Sequence, residues 1–424
     1  MKTLKLIGGE VVNPAGEKKG RLDILIKDGV IAAIGIDVGD ADETIDISGK
    51  TVFPGFIDLH CHLREPGQEY KEDIASGTYA AAKGGYTAVC CMPNTLPVLD
   101  NAAVCALVLE RARHASTKVY PVGAATKELK GSELSEMGEL TAMGCVAFSD
   151  DGRPISSGSM MLAAMQYADT YDSFIMAHEE DLDIKGKGVM NEGCNSTVLG
   201  LPGIPRAAEE AMIARDLILA ESYGLRVHIQ HVSTSGGITL IRAAKQRGVR
   251  VTCESAPHYF SADDSACAGY DARTKVNPPL RTADDVAAVK EALLDGTIDA
   301  IATDHAPHHK DEKNIEFAIA AFGISGFETA FSLAVTNLTT DKDKLAELLS
   351  VNPARIIGKP GGVIKEGVPA DITVVDMSAE YMLTEKSLVS KGKNSPFFGQ
   401  TLRGVVTHTL VDGRLVYEGG IPCK

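Results

Sequence analysis

Eight apolar, strand-like runs, each followed by an amphipathic helical stretch, fill the middle of this 424-residue chain and constrain its fold more than any other feature. The runs are FIDLH, TAVCCM, KVYPVG, CVAFS, FIMAH, RVHIQH, VRVTCE and IDAIATD. Between them lie stretches such as DNAAVCALVLERARHA, MMLAAMQYAD, RAAEEAMIARDLILAESYG and TADDVAAVKEALLDG. The last opens with a threonine N-cap and early acids, as a helix start should. Strands that alternate with helices form parallel sheets, and eight repeats predict an α/β chain built on a (β/α)8, TIM-type barrel. The competing doubly wound sheet would carry a glycine-rich phosphate loop after its first strand. Here that place holds His-x-His.

The two ends have a different rhythm. LKLIGGEVVN, LDILIKDGVIAAIG and TIDISGKTV near the start, and ADITVVDM and GVVTHTLVDGRLVYEGG near the end, are short strands broken by Gly, Asn and Asp turns. The VDGR stretch predicts a hairpin, because Asp-Gly supplies the positive φ angles of a type I′ turn. The expected division is a discontinuous β-sandwich from residues 1–52 and 357–424 around a barrel of residues 53–356.

Charge narrows the partners. Lys and Arg number 42 against 57 Asp and Glu, a formal net charge of -15, whereas a nucleic acid or an anionic membrane calls for a basic face. Nine scattered cysteines and a start, MKTLKLIGGEVV, without a secretory pattern predict a reducing cytoplasm. No apolar run approaches the length of a bilayer span.

In a barrel of this kind the site lies at the C-terminal ends of the strands. The first run ends in His60 and His62, which point the same way if the strand is regular. The second ends in Met92-Pro93-Asn94, the fourth in Asp150-Asp151, the fifth in His178, the sixth in His231 and the eighth in Asp304. Four imidazoles and two carboxylates on one rim suit a pair of divalent ions such as zinc. Two such ions need bridging anions to offset their repulsion, and a carboxylate of the Asp150-Asp151 pair is one candidate, a hydroxide the other. Adjacent residues point oppositely, so only one aspartate of the pair is expected to ligate, and Asp151 is the candidate bridge.

The runs GFIDLHCHLREPG, MPNT, FSDDG, AHEED, QHVS, KVNPPL and ATDHAPH resemble the amidohydrolase superfamily, and within it the type I dihydroorotase family of bacteria. The resemblance covers essentially the whole chain. It implies that His60 and His62 hold one zinc ion and His178 and His231 a second, that Asp151 bridges them, and that Asp304 touches the first and serves as general acid/base. CVAFSDD has no lysine where many relatives bridge their metals with a carboxylated one, a departure from hydantoinases and dihydropyrimidinases.

The implied reaction is reversible hydrolysis of the cyclic amide of dihydroorotate to N-carbamoyl-aspartate, in de novo pyrimidine biosynthesis. A metal-bridging hydroxide would attack the ring carbonyl, with Asp304 carrying the proton. Arg64, Asn94 and His308 match positions that bind the substrate carboxylate; Asn277 and the backbone around Phe322 and Gly323 match those that read the ring amide. His309 could exchange roles with His308, although register from Asp304 favours the latter. Other cyclic-amide hydrolases, allantoinase or dihydropyrimidinase, are the alternative, and Arg64 speaks against their uncharged rings. A non-catalytic scaffold for aspartate transcarbamoylase would be expected to lose metal ligands, and all six are present. Association with that enzyme, or a homodimer, stays compatible with the sequence.

Among the other histidines, His228 is three residues from His231 and is expected on the opposite side of its strand. His258 is expected near the rim, and His305 out of phase with Asp304. The charged segment 308–316, HHKDEKNIE, is expected to be a mobile flap at the mouth of the site.

Overall fold

The structure is a computed structural model that describes residues 3–419. The expected terminal segments also take in residues 1, 2 and 420–424, which lie outside the described residues. The chain is mixed α/β, with parallel strands at its centre. These are β1 (Phe56–Cys61), β2 (Tyr86–Cys91), β3 (Lys118–Pro121, continued as Gly123–Ala124), β4 (Phe148–Ser149), β5 (Ile175–Ala177), β6 (Val227–Ile229), β7 (Val251–Ser255) and β8 (Ala300–Ile301). Each pairs in parallel with the next. Just beyond β8, a parallel bridge joins His305 to Cys61, and the His62 N–H donates to the His305 carbonyl at 2.8 Å. Hydrogen bonding therefore runs from β1 through β8 and back to β1.

Several strands are shorter than their apolar runs predict, most of all β4 against CVAFS and β8 against IDAIATD. The bonding is longer than the strands: Asp299 N–H donates to Cys253 O at 3.0 Å and Ala302 N–H to Ser255 O at 3.1 Å, either side of β8.

Eight helices follow the strands in turn: α1 (Ile74–Lys83), α2 (Ala102–Ala112), α3 (Met137–Met143), α4 (Gly158–Asp169), α5 (Ala207–Tyr223), α6 (Ser235–Gln246), α7 (Ala283–Asp295) and α8 (Ala330–Asn337). Five start on a side-chain cap, from Asp73, Asn101, Ser157, Thr234 and Thr282. Thr282 accepts from the Asp285 N–H and Asp285 answers it in a capping box, which satisfies two otherwise orphaned donors. The apolar faces of the helices pack on the outside of the strands, in a cluster that includes Phe148, Ile175, Ile213, Leu217, Ile241 and Leu293. A second cluster, including Leu59, Cys90, Met176 and Ala302, packs with Ile356 and Ile357 from the helix Asn352–Ile357.

The chain ends meet in shared sheets. One has the order Arg414–Glu418, Thr401–Val411, Ile372–Met382, Thr51–Pro54, Glu10–Val11, Gly20–Arg21, so three C-terminal strands join three N-terminal ones in a single sheet. Another, of four strands, comes from residues 3–46 alone. Leu6, Ile24 and Ile31 from the second pack with Val52, Ile372, Val374 and Leu410 from the first. At the VDGR stretch Asp412 and Gly413 take φ of 47° and 69°, the positive pair that a type I′ hairpin needs. Among the described residues no helix is long and apolar enough to cross a membrane.

Candidate active site

The polar ends of the strands converge. Asp151 lies at the centre: its Oδ1 is 3.4 Å from His60 Nε2, 3.3 Å from His178 Nδ1 and 3.7 Å from His231 Nε2, and its Oδ2 is 3.5 Å from His62 Nε2. Asp304 Oδ1 closes the group from β8, 3.3 Å from His62 Nε2 and 3.7 Å from His60 Nε2. Among the described residues two sets of donors lie within 4.8 Å of one another, His60-His62-Asp151 and Asp151-His178-His231. Asp151 belongs to both. Asp150 turns the other way, where its Oδ1 accepts from the Ala125 and Thr126 N–H groups at 2.9 Å each.

Electrostatics follow from burial. Desolvation pushes the Asp151 carboxyl up, but the nearby His60 and hydrogen bonds from His178 and His231 outweigh it and hold the group well below the carboxylate range. Asp304 is lowered in the same way, chiefly by His62 and His60 against its burial. Burial pulls His178 down, and Asp151 and Glu180 overcome it, raising the imidazole to about 9. Two buried carboxylates among imidazoles call for positive charge.

Backbone strain coincides with the site. Arg64, His231 and Asp304 are non-glycine residues with φ of 63°, 34° and 43°. The irregular φ at His231 also explains why the alternation expected for β6 fails. His228 was expected to face away from His231, yet its Nε2 lies 3.1 Å from Glu254, whose other oxygen is 3.0 Å from His60 Nδ1. Regular alternation ends at Ile229, so a three-residue step no longer reverses direction.

Beside the cluster opens a cavity of about 240 Å³ lined by Arg64, Asn94, Asn277, His308, Phe322 and Gly323 together with His62, Asp151, His178, His231 and Asp304. Every expected site residue lines it except His60, which is fully buried behind. Arg64 donates through Nε to the Pro307 carbonyl at 3.2 Å. Its Nη2 lies 3.2 Å from His308 Nε2. Asn94 is engaged at both ends of its amide: Oδ1 is 2.9 Å from His62 Nδ1 and Nδ2 donates to Asp151 Oδ2 at 3.2 Å. Asn277 donates to Glu180 at 3.2 Å, and its Oδ1 is buried without a partner. The His308 ring is held between Glu312, 3.2 Å from Nδ1, and the Phe322 carbonyl, 2.8 Å from Nε2.

Two residues of the site, Lys185 and Glu254, were not anticipated, whereas Glu180 was expected beside the site as a supporting or solvated acid and not as a ligand. Lys185 lines the cavity and donates to Glu180 at 2.9 Å, so Glu180 fastens both Lys185 and Asn277. Glu254 is the second, and its only trace in the sequence is the charge that ends the apolar run VRVTCE. His258 is buried, and burial pushes it down to about 4, leaving a neutral ring. His305 stacks on Phe327, 4.1 Å between centroids, away from the cluster. The segment 308–316 contains a one-turn helix, Lys310–Lys313, where an unpatterned stretch was expected. It is fastened on several sides: Lys71 pairs with Glu312 at 3.0 Å, and Lys313 Nζ donates to the carbonyls of Ala272, Lys275 and Ala321.

The fold and this site are those of a hydrolase of the amidohydrolase type. The model of the dihydro-orotase-like family matches residues 49–236. Curated relatives include dihydroorotases of Acetivibrio thermocellus, 52% identical over 96% of this chain and 97% of that protein, and of Geobacter metallireducens, 52% identical over 98% and 99%. Among solved structures the chain is similar to the L-hydantoinase (dihydropyrimidinase) from Arthrobacter aurescens, with a TM-score of 0.88 and 25% identity over 100% of this chain and 98% of that one. The chain belongs to the dihydroorotase family.

Proposed function

We propose that the chain is a dihydroorotase that interconverts dihydroorotate and N-carbamoyl-aspartate on a pair of zinc ions, in the cytoplasm, as a step of pyrimidine biosynthesis. We read residues 53–356 as a (β/α)8 barrel and the strands of residues 1–52 and 357–424 as a β-sandwich beside it. The observation that carries the metal reading is Asp151, a single carboxylate shared by two histidine pairs. The donor set fits: His60 Nε2 is buried with no hydrogen-bond partner, a lone pair that a cation would use. His60, His62 and Asp304 would hold one ion and His178 and His231 the other, with Asp151 between them; nitrogen and carboxylate donors suit zinc. When bound, such ions polarise a carbonyl and lower the pKa of water.

The chain's own residues supply the rest. The Arg64 guanidinium suits a carboxylate, which it binds through two parallel hydrogen bonds. His308 and Asn94 flank the same end of the cavity. The unpartnered Asn277 Oδ1 is an acceptor for a ring N–H, and the backbone at Phe322 and Gly323 borders the ring. Asp304 takes a proton from the attacking water and delivers it to the ring nitrogen as the C–N bond breaks. In ring closure it removes the proton from the carbamoyl nitrogen.

Arg64 also supports this substrate over uncharged rings, because a buried guanidinium left unpaired costs roughly 3–5 kcal/mol. The test is turnover by zinc-supplied protein of dihydroorotate beside dihydrouracil and allantoin. Turnover of dihydroorotate alone is expected. Turnover of an uncharged ring alone would assign the chain another substrate, and no turnover with metal bound would remove the enzymatic reading.

A further inference from the structure

Behind the histidine cluster sits a carboxylate that the reaction leaves unused. Glu254, on β7, is fully buried. Its Oε1 lies 3.0 Å from His60 Nδ1, and its Oε2 lies 3.1 Å from His228 Nε2. His228 is itself fully buried, and its Nδ1 is 2.8 Å from the Thr252 hydroxyl. The result is a row of Thr252, His228, Glu254 and His60 leading up to the metal cluster.

The row fixes a choice that an imidazole leaves open. A neutral ring carries one proton, on Nδ1 or on Nε2. With the proton on Nδ1, His60 donates to Glu254 and turns the Nε2 lone pair toward Asp151 and Asp304. With the proton on Nε2, a lone pair on Nδ1 would stand 3.0 Å from a carboxylate oxygen, and the two would repel. One neighbour argues the other way: Gln230 Nε2 is 3.2 Å from the same Nδ1. That amide also has the Met92 sulfur within 3.3 Å, and a neutral amide is a weaker claimant than a carboxylate. His228 donates to the second oxygen, so Glu254 is not an isolated buried charge.

We infer that Glu254 is a positioning residue, which holds His60 with Nε2 free to ligate a metal ion, and that His228 anchors it. The inference rests on the metal reading above, and it reaches the ion held by His60 and His62 while leaving the one held by His178 and His231 alone. A carboxylate behind a ligating histidine orients the ring and raises its basicity; its loss typically weakens metal binding about 10–100-fold.

The test is zinc retention by wild type and Glu254→Gln, dialysed against a graded series of a competing chelator, with metal counted per chain and circular dichroism checking the fold. The expected result is a folded variant whose first ion leaves at about 10–100-fold lower chelator concentration while the second leaves with the wild type. Cobalt substitution should show the same loss as a fall in one set of visible bands. If the variant does not fold, the wild type decides: nitrogen-15 spectra of histidine-labelled protein should show the His60 proton on Nδ1, and a proton on Nε2 overturns the inference. Equal retention of both ions by a folded Glu254→Gln variant overturns it while leaving the metal reading intact. A wild type that takes up no metal overturns both.

Discussion

Arg64 and His308 face each other at 3.2 Å across the mouth of the site, although 244 positions separate them in the chain. The contact exists because β1 and the extension of β8 are neighbours, joined where His62 donates to His305. Arg64 follows the first of these strands and His308 the second, so the pairing of the two strands itself brings these side chains together at one end of the cavity.

Arg64→Lys isolates the guanidinium fork. Lysine keeps the charge and meets the same backbone demand at φ of 63°, but it cannot form two parallel bonds. Arg64→Ala removes the charge as well and should cost about 2–5 kcal/mol of transition-state binding, a fall of ~30- to several-thousand-fold in kcat/KM. Arg64→Lys should fall between the two proteins. Steady-state kinetics on dihydroorotate measure both, and variants as active as the parent would show that Arg64 does not touch the carboxylate.

Asp151→Asn keeps the shape of the shared ligand and removes its charge. Both histidine pairs meet at this one side chain, so the change should lower the affinity for both ions together. Metal counted per chain after dialysis should drop well below that of the wild type, for which the proposed site predicts about two. Loss of only one ion would mean that Asp151 serves a single site. Asp150→Asn is the control: that carboxyl accepts from Ala125 and Thr126 and faces away, so metal content should hold even if the melting temperature falls.

Why was so much of the site legible beforehand? Five of the eight strands run straight into a residue of the cluster, and His60, Asp151, His178, His231 and Asp304 are read off those ends. What stayed hidden depends on irregular backbone or on distant partners. His231 departs from strand alternation at φ of 34°, which no propensity encodes, and this hid the inward-facing His228. Glu254 reads as a lone charge in a strand until folding brings His60 to it from 194 positions away. The one-turn helix Lys310–Lys313 is fastened by Lys313 to carbonyls of separate loops, and the local sequence shows only a run of charges.

Gly323→Ala tests how tightly the ring end of the cavity is built. Gly323 has φ of 148°, a side chain's first carbon there would lie 2.4 Å from the Ala306 carbonyl oxygen, and 3.0 Å from the His308 ring. Backbone on one side and a proposed substrate contact on the other leave no cheap relief. The variant should lose about 1–3 kcal/mol of stability and raise KM for dihydroorotate as Phe322 and His308 shift. Thermal melts and kinetics read the two effects, and an unchanged KM would detach this segment from substrate binding.

Glu312 gives the pH dependence of the same wall. Burial pushes its carboxyl up, but the Lys71 ion pair and the His308 contact outweigh that and bring it to about 2. Its value in the unfolded chain is about 4.3, so the folded value is the lower one and the unfolded state binds more protons between the two. The Glu312 contribution is therefore fully present above about pH 4.3 and fades as pH falls toward 2. Glu312→Gln should melt below the wild type by a constant margin from neutrality down to about pH 5, and the margin should shrink on further acidification. A margin that persists unchanged at the lowest pH where the protein stays folded would mean that Glu312 acts through shape, by seating the helix Lys310–Lys313, and that its pairing with Lys71 adds nothing.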